Sequence, residues 1–352
     1  MKILHVITSL QTGGAEKLMV DLLPRFNAQG VQADLLLLDG TETPFKQQLR
    51  DAGVKIYELG RGSVYNPMHI IRLIPYLRKY DVVHTHNTAP QLFAAIGSVL
   101  CSVVLVTTEH NTTNRRRNWS WYAPIDRWMY RRYRKVVCIS DKAEDNIREC
   151  LGNGKYDIST IYNGVDVGKY SEAEPIMEPS DTQRRIVKVA GFRYQKDHST
   201  VIRALAMLPS RYHLYLVGDG ELKEDCVRLS QEVGVSDRCH FLGVRMDVPQ
   251  ILKSADFVVM SSHWEGLSLS SIEGMSVGRP FIASDVDGLH EMVAGAGILF
   301  PHQDCKALAD IILHLDSAPA YYQRVADACY AKAKQFDISV MVDNYLKLYE
   351  SL

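Results

Sequence analysis

Short apolar runs recur along this chain in two series. The first comprises Ile3–Ile7, Ala33–Leu38, Val54–Glu58, Val82–Thr85, Val103–Thr107 and Val136–Ile139. The second comprises Arg185–Ala190, His213–Val217, Cys239–Leu242, Phe257–Met260, Pro280–Ala283 and Gly297–Phe300. Most of the intervals between them carry apolar residues at helical spacing. Runs rich in valine, isoleucine and leucine, without strict polar alternation, fit strands covered on both faces, and strand–helix alternation places such strands in parallel sheets. Two series therefore predict an α/β chain with two doubly wound, Rossmann-like domains.

A chain of 352 residues is also too long for one ordinary core. The stretch Gly164–Gln183 is polar and rich in Pro and Glu, which suggests a linker. The expected division is a first domain over residues 1–165, a linker over 166–184, a second domain over 185–335, and a terminal helical segment over 336–352. Val342, Tyr345, Leu346 and Tyr349 carry the apolar spacing of that last helix.

Composition excludes several functions. With 46% hydrophobic and 23% charged residues the chain is of soluble, globular type. Its formal net charge of −1 does not suit a nucleic-acid partner, which requires broad phosphate neutralisation. Seven cysteines without a C-x-x-C pair suggest neither a disulfide framework nor a zinc site, and a reducing cytoplasm fits them. The apolar start Met1–Leu10 is interrupted by His5, Thr8 and Ser9 and reads as a buried strand, not a signal peptide. The longest apolar run, Leu92 to Val106, falls short of the ~20 residues of a membrane span.

The chemistry concentrates in Ser261–Ser284, SSHWEGLSLSSIEGMSVGRPFIAS. Glu265 follows the strand run Phe257–Met260, and Glu273 lies within a short amphipathic helix expected to start between Ser268 and Ser270. A loop carboxylate, a helix N-terminus and a first-turn carboxylate then meet at the carboxyl end of a strand, where open α/β sheets bind ligands. Backbone N–H groups of Gly266, Leu267, Ser268, Leu269 and Ser270 can hold a diphosphate, and a carboxylate can accept from both hydroxyls of a ribose. The plainer reading makes Ser270-x-x-Glu273 a capping box and Glu265 a surface acid.

Glu265-Gly followed by Glu273, Gly278-Arg-Pro280 and Asp285-x-x-Gly288-x-x-Glu291 resembles the retaining glycosyltransferases of family 4, whose E-x7-E motif reads EGF-G-xxxx-EAMA-x-G-x-P. The resemblance implies the GT-B fold, two Rossmann-like domains with an interdomain cleft, and a last helix that crosses back to the first domain. It implies that Glu273 takes the ribose hydroxyls and Glu265 lies against the transferred sugar. Leu267, Ser268 and Gly274 replace the commoner Phe, Gly and Ala. Ile161-Tyr-Asn-Gly-Val-Asp166 resembles the signature that closes the first domain in this family and marks a hinge.

Further positions follow from the resemblance. Gly13 and Gly14, after the first strand, correspond to the glycine-rich loop facing the donor; alone they equally suit a tight turn. In Val189-Ala-Gly-Phe-Arg-Tyr-Gln-Lys-Asp-His198, Lys196 matches the lysine of ARFxxQKDH, whereas the arginine position is Gly191 and the nearest arginine is Arg193. Both cations would offset charge on the departing diphosphate. His110, after the strand ending in Thr107, corresponds to a histidine that contacts the transferred sugar, while His84 and His86 read as packed residues. Leu242 and Gly243 are placed near the base. Asp285-Val-Asp287 mimics a D-x-D metal motif of another fold, and no metal is expected.

From Asn114 to Lys135 eight basic residues face one acid, Asp126, with Trp119, Trp121, Tyr122, Trp128, Tyr130 and Tyr133 interleaved. A solvated basic helix with inward aromatics explains this, as does a patch for an anionic membrane surface. The resulting expectation is a retaining, metal-independent hexosyltransferase using an NDP-sugar as co-substrate, a UDP-sugar being favoured. Its acceptor would be a glycan or lipid-linked molecule in cell-surface polysaccharide assembly. It would need no cofactor and would work in the cytoplasm or at the inner membrane face. A catalytically silent nucleotide-sugar-binding protein and a GT-B epimerase are the alternatives.

Overall fold

The computed structural model describes all residues except 12, 111–121, 153, 179 and 181. It divides into two compact units. The first comprises Met1–Asn163 and Ile338–Leu352, and the second Gly164–Asp337.

The first unit is built on a seven-stranded parallel sheet. Its strands are β1 (Lys2–Ile7), β2 (Gln32–Leu37), β3 (Ile56–Glu58), β4 (Val82–His86), β5 (Val104–Glu109), β6 (Lys135–Cys138) and β7 (Ile158–Thr160). Their order across the sheet is β3-β2-β1-β4-β5-β6-β7. Successive residues of a strand point to opposite faces. Accordingly Ile3, Leu35 and Leu37 enter one core with the helices Gly14–Ala28 and Ile338–Glu350, while Leu4, Val6 and Leu36 enter another with Met68–Leu77 and Thr88–Gly97. The terminal helix contributes Met341, Val342, Tyr345 and Tyr349 to the first of these cores. The short edge strand β7 has no counterpart among the expected runs, because three residues carry too little periodicity to register.

The second unit carries β8 (Arg184–Val189), β9 (Tyr212–Val217), β10 (Cys239–Gly243), β11 (Phe257–Met260), β12 (Phe281–Ser284) and β13 (Ile298–Phe300). All are parallel, in the order β10-β9-β8-β11-β12-β13. In both sheets the first strand of the unit lies beside the fourth, so the order reverses between β1 and β4 and between β8 and β11. Such a switch point leaves a crevice outside the strand ends, where helices depart to opposite faces.

The expected linker over 166–184 belongs to the second unit. Val167–Ser171 forms a helix, and Val165, Val167 and Tyr170 are buried in that unit's core. Lys253 Nζ donates to Ser171 O at 2.6 Å, and Ser254 Oγ accepts from the backbone of Ile176 and Met177. Composition misled here because three apolar anchors suffice to dock an otherwise polar segment. At the other end Val165 N donates to Phe336 O at 2.9 Å, which carries the second unit to Asp337.

Candidate active site

The loops leaving β8 and β11 build the site of the second unit at its switch point. After β8 the chain makes a short 3-10 turn, Tyr194–Lys196, then enters the helix His198–Met207 through Asp197. Asp197 is a non-glycine residue at φ 40°, ψ 64°, a left-handed conformation that needs outside support. Its carboxylate caps the helix, accepting from Thr200 N at 3.2 Å, Thr200 Oγ1 at 2.6 Å and Ser199 Oγ at 2.7 Å. Its carbonyl accepts from Ser261 Oγ, at the end of β11, at 2.6 Å.

Glu265 is buried, and its carboxylate is fully engaged. Lys196 Nζ donates to both oxygens at 2.6 and 2.8 Å, Ser262 Oγ donates at 2.7 Å, and Gln195 Nε2 lies 3.4 Å away. The backbone of the two loops is tied as well, by His263 N to Gln195 O at 2.8 Å. Two residues expected at opposite ends of the donor's glycosidic bond are thus joined by a charge-assisted contact. Ser262 and Gln195 escaped the sequence reading, since neither type stands out in a loop.

The helix Leu269–Ser276 begins one residue after Ser268, whose Oγ accepts from Ser271 N at 3.3 Å. Ser270 is therefore already helical and cannot cap, which removes the capping-box reading of Glu273. Glu273 is the fifth residue of the helix and is buried. Ser268, where the motif usually has glycine, turns its hydroxyl back onto its own helix. The N–H groups of Leu269 and Ser270 precede the first helical hydrogen bond and keep the partial positive charge of a helix start.

Two glycines near this site have steric reasons. Gly288 sits at φ 83°, and a Cβ there would lie 2.2 Å from Glu265 O, so only glycine lets this loop close on Glu265; Glu265 N donates to Asp287 O at 3.1 Å. A Cβ on Gly274 would meet Phe281 Cε2 at 2.7 Å and Val258 Cγ1 at 2.8 Å, so the phenylalanine occupies the volume that the commoner alanine would use. Gly218 and Gly220, which the sequence reading passed over, have φ of 137° and 156°, and a Cβ on them would lie 2.2 Å from Ala190 O and 2.5 Å from Phe192 O. Gly243 (φ 68°) accepts from Gly218 N at 2.8 Å, so Leu242 and Gly243 join the same rim of strand-end loops.

Arg193 is not brought to Glu265. It is exposed and lines a cavity of about 240 Å³ with Asp197, Ser199, Leu222, Asp225 and Cys226. Its Nε nevertheless lies 4.0 Å from where a Cβ of residue 191 would stand, so its guanidinium reaches back over the glycine that replaces the family arginine. Asp285 pairs with His290 through Nδ1 at 2.6 Å, which raises the histidine's pKa, and both side chains are exposed.

At the switch point of the first unit the buried strands carry histidines. His5 pairs in register with His84, and His86 with Thr108. His5 Nδ1 and His86 Nε2 are 3.0 Å apart, and His86 Nδ1 and His110 Nε2 2.9 Å apart. His84 is held between Tyr349 OH at 2.5 Å and Thr108 Oγ1 at 2.7 Å, and Thr108 Oγ1 meets Tyr345 OH at 3.1 Å. Burial lowers all four pKa values, to about 3 for His5 and about 4 for His110, so the chain of rings is neutral. His110 thus stands at the outer end of a buried polar seam, and His84 and His86 lie within β4.

Gly13 and Gly14 are exposed at the start of the helix Gly14–Ala28. Gly13 is extended (φ −168°), and a Cβ on Gly14 would meet nothing within 4 Å, so neither is demanded by backbone strain. Glu16, to which the sequence reading gave no role, has its pKa raised by burial and bonds to Asn87. Asn87 Nδ2 in turn donates to Thr8 Oγ1 at 3.0 Å.

Of the basic aromatic stretch, residues 114–121 lie outside the described residues. In the remainder Tyr130 and Tyr133 are buried, Tyr133 OH donating to Gln91 O at 2.7 Å and Tyr130 OH to Glu109 Oε1 at 2.5 Å. Those two rings belong to the core, whereas Trp128 is 41% exposed beside exposed Arg127, Arg131 and Arg132.

Two open parallel sheets in succession, each with helices on both faces and loops gathered at its switch point, define the GT-B class. The family model described as Glycosyltransferase Family 4 matches residues 12–169, and that described as Glycosyl transferases group 1 matches residues 183–317. The chain belongs to the GT-B glycosyltransferases of family 4. It is 26% identical over 364 residues to the lipopolysaccharide core biosynthesis glycosyltransferase LpsD of Rhizobium meliloti (strain 1021), covering 99% of this chain and 98% of that protein. It is 28% identical over 237 residues to the UDP-Gal:alpha-D-GlcNAc-diphosphoundecaprenol alpha-1,3-galactosyltransferase of Escherichia coli, covering 60% of this chain and 59% of that protein. Among solved structures it is similar to Anabaena Alr3699/HepE in complex with UDP, with a TM-score of 0.84, 22% identity and 100% of both chains covered. The same protein has also been solved in complex with UDP-glucose. No helix among the described residues is long and apolar enough to cross a membrane.

Proposed function

We propose that this glycosyltransferase moves a hexose-type sugar from an NDP-sugar, with UDP as the favoured nucleotide, to a glycan or lipid-linked acceptor in cell-surface polysaccharide assembly, with retention and without a metal. The observation that carries this reading is the Lys196–Glu265 pair at the β8/β11 switch point, beside the helix start that leads into buried Glu273. Glu273 accepts from the ribose hydroxyls, and the N–H groups of the helix start receive the diphosphate. An arriving diphosphate competes with Glu265 for Lys196, so the ammonium moves onto charge that grows as the glycosidic bond breaks, with Arg193 as the second cation. Glu265, released toward the sugar, orients the sugar's hydroxyls.

In the transfer step the bond from the anomeric carbon to the diphosphate oxygen breaks, and the acceptor oxygen bonds the same carbon on the same face. The acceptor's proton passes to the departing diphosphate, which leaves as NDP, so no protein base is needed. Fixed cations at the diphosphate replace the metal. The names of the relatives, with a lipid-linked diphosphate in one and a lipopolysaccharide core in another, support an acceptor of that type. Trp128 and the arginines around it support contact with an anionic membrane surface.

The test is turnover of UDP-glucose and UDP-galactose with lipid-linked and soluble glycosyl acceptors in EDTA, with the product's anomeric configuration read by NMR. Transfer with retention in EDTA is expected. Activity abolished by EDTA and restored by magnesium or manganese would refute the metal-free reading. Donor binding without turnover on any acceptor would favour a silent binding protein.

A further inference from the structure

We propose that Lys188, next to the last residue of β8, is a positioning residue that latches the two donor-site loops together and takes up a proton when the sugar nucleotide binds. This rests on the reading of the donor site given above.

Lys188 is 0% exposed, an unusual place for a lysine. Its Nζ donates to Lys196 O at 2.6 Å and to Ser261 Oγ at 2.8 Å. Ser261 Oγ passes the connection on to Asp197 O at 2.6 Å. One buried amine therefore fixes the backbone of Lys196, the strained Asp197 and the strand end that leads into Glu265. Without it the Lys196 carbonyl and Ser261 hydroxyl would be left in a dry interior, and the left-handed turn at Asp197 would lose its anchor on β11.

The same amine is poised to change charge. Burial pulls its pKa down to about 7, the charges of Asp197 and Glu265 favour the ammonium, and that of Lys196 opposes it. His198 on the neighbouring helix is held neutral, its pKa lowered to about 2 first by burial and then by Lys188 itself. A neutral amine still has two N–H donors for its two acceptors, so the latch holds in either charge state. A diphosphate arriving on the far side of Lys196 brings negative charge that favours the ammonium. Binding then draws in a fraction of a proton near pH 7, as a partly protonated amine becomes more fully protonated. Affinity falls as pH rises above 7.

The experiment is isothermal titration calorimetry at pH 7 in buffers of different ionisation enthalpy, on the full chain. The ligand is whichever of UDP-, GDP- or ADP-glucose gives a binding heat; their diphosphate has no titrating proton near neutrality. Wild type, Lys188→Met and Ser261→Ala are compared, with kcat measured alongside. Wild type should take up a measurable fraction of a proton and Lys188→Met none. Ser261→Ala, which keeps the amine but loosens the latch, should keep the uptake while kcat falls by about 10- to 100-fold, the range expected for small misplacement of a reacting group. Equal proton counts in wild type and Lys188→Met would overturn the charge role, and wild-type kcat in Ser261→Ala would overturn the latch. Should Lys188→Met not fold, absence of uptake in wild type alone overturns the proposal. No binding of any of the three nucleotides would instead refute the donor-site reading and this inference with it.

Discussion

Replacing Lys196 by Met separates what the ion pair does for stability from what it does for catalysis. The Glu265 side chain is 5% exposed and that of Lys196 23%, so removing the lysine strands a nearly buried carboxylate. For a fully buried pair that would cost about 3 to 5 kcal/mol. Here Ser262 and Gln195 still serve the carboxylate, and the partial exposure of Lys196 lets solvent screen the pair, so about 1 to 3 kcal/mol is expected. For a unit of this size each kcal/mol lowers Tm by roughly 2 to 4 °C. Lys196→Met should therefore melt measurably lower in a scanning calorimeter. The double variant Lys196→Met/Glu265→Gln removes the orphaned charge and should recover most of that loss. Turnover should not recover, because the cation on the departing diphosphate is still missing, and kcat should stay down by about 10²-fold in both variants. A double variant no more stable than Lys196→Met would refute the stranded-charge argument. Near-normal kcat in Lys196→Met would refute the role of Lys196 at the diphosphate.

Three further outcomes are expected. Glu273→Ala should weaken binding of the cognate nucleotide by about 1.5 to 3 kcal/mol for each ribose hydrogen bond lost, read by calorimetry on a variant whose fold is checked by circular dichroism. Gly274→Ala should destabilise the second unit by about 1 to 3 kcal/mol in urea melts, because its methyl meets Phe281 and Val258 inside contact distance; an unchanged midpoint would show that Phe281 moves aside freely. Acid should unfold the first unit early. His5, ordinarily near 6.5, is held down to about 3 in the folded chain, so below pH 6.5 only the unfolded chain takes up its proton. Stability then falls by about 1.4 kcal/mol per pH unit for this histidine as pH drops from 6.5 toward 3. A His5→Phe variant should show a shallower acid limb, and an identical limb would mean that His5 titrates alike in both states.

The apolar skeleton was legible because parallel strands covered on both faces leave a plain mark, continuous valine, isoleucine and leucine runs. That mark located twelve of the strands and two doubly wound domains, while the GT-B arrangement came from the family resemblance. It failed where a segment is held by few contacts, as in β7, or where apolar anchors are diluted by polar neighbours, as in Val165, Val167 and Tyr170. Glu265, Glu273 and Lys196 stood out through the family pattern alone, and the structure pairs Lys196 with Glu265 and buries Glu273 in its helix. Arg193 was named as the arginine nearest Gly191, but the course of its side chain was not legible, since a side chain can reach a place its own backbone does not occupy. Arg193 folding back over Gly191 is a fact of rotamers, not of register.

The least legible residues are those that contradict the skeleton while sitting inside it. Lys188, His5 and His84 occupy strand positions where an apolar residue would be expected, and each is fully buried. Read along the chain, such a residue looks like a flaw in a strand, because its partners come from other strands or from the far end of the sequence. Tyr349, which meets His84, is separated from it by 265 positions. A buried polar group is costly unless every partner is supplied, so its persistence in a strand implies a network built around it. In this chain both networks run toward the carboxyl ends of the strands flanking a switch point, one ending at Lys196 and Glu265 and the other at His110. The strand interiors therefore hold buried polar networks that reach the loop residues of the candidate site.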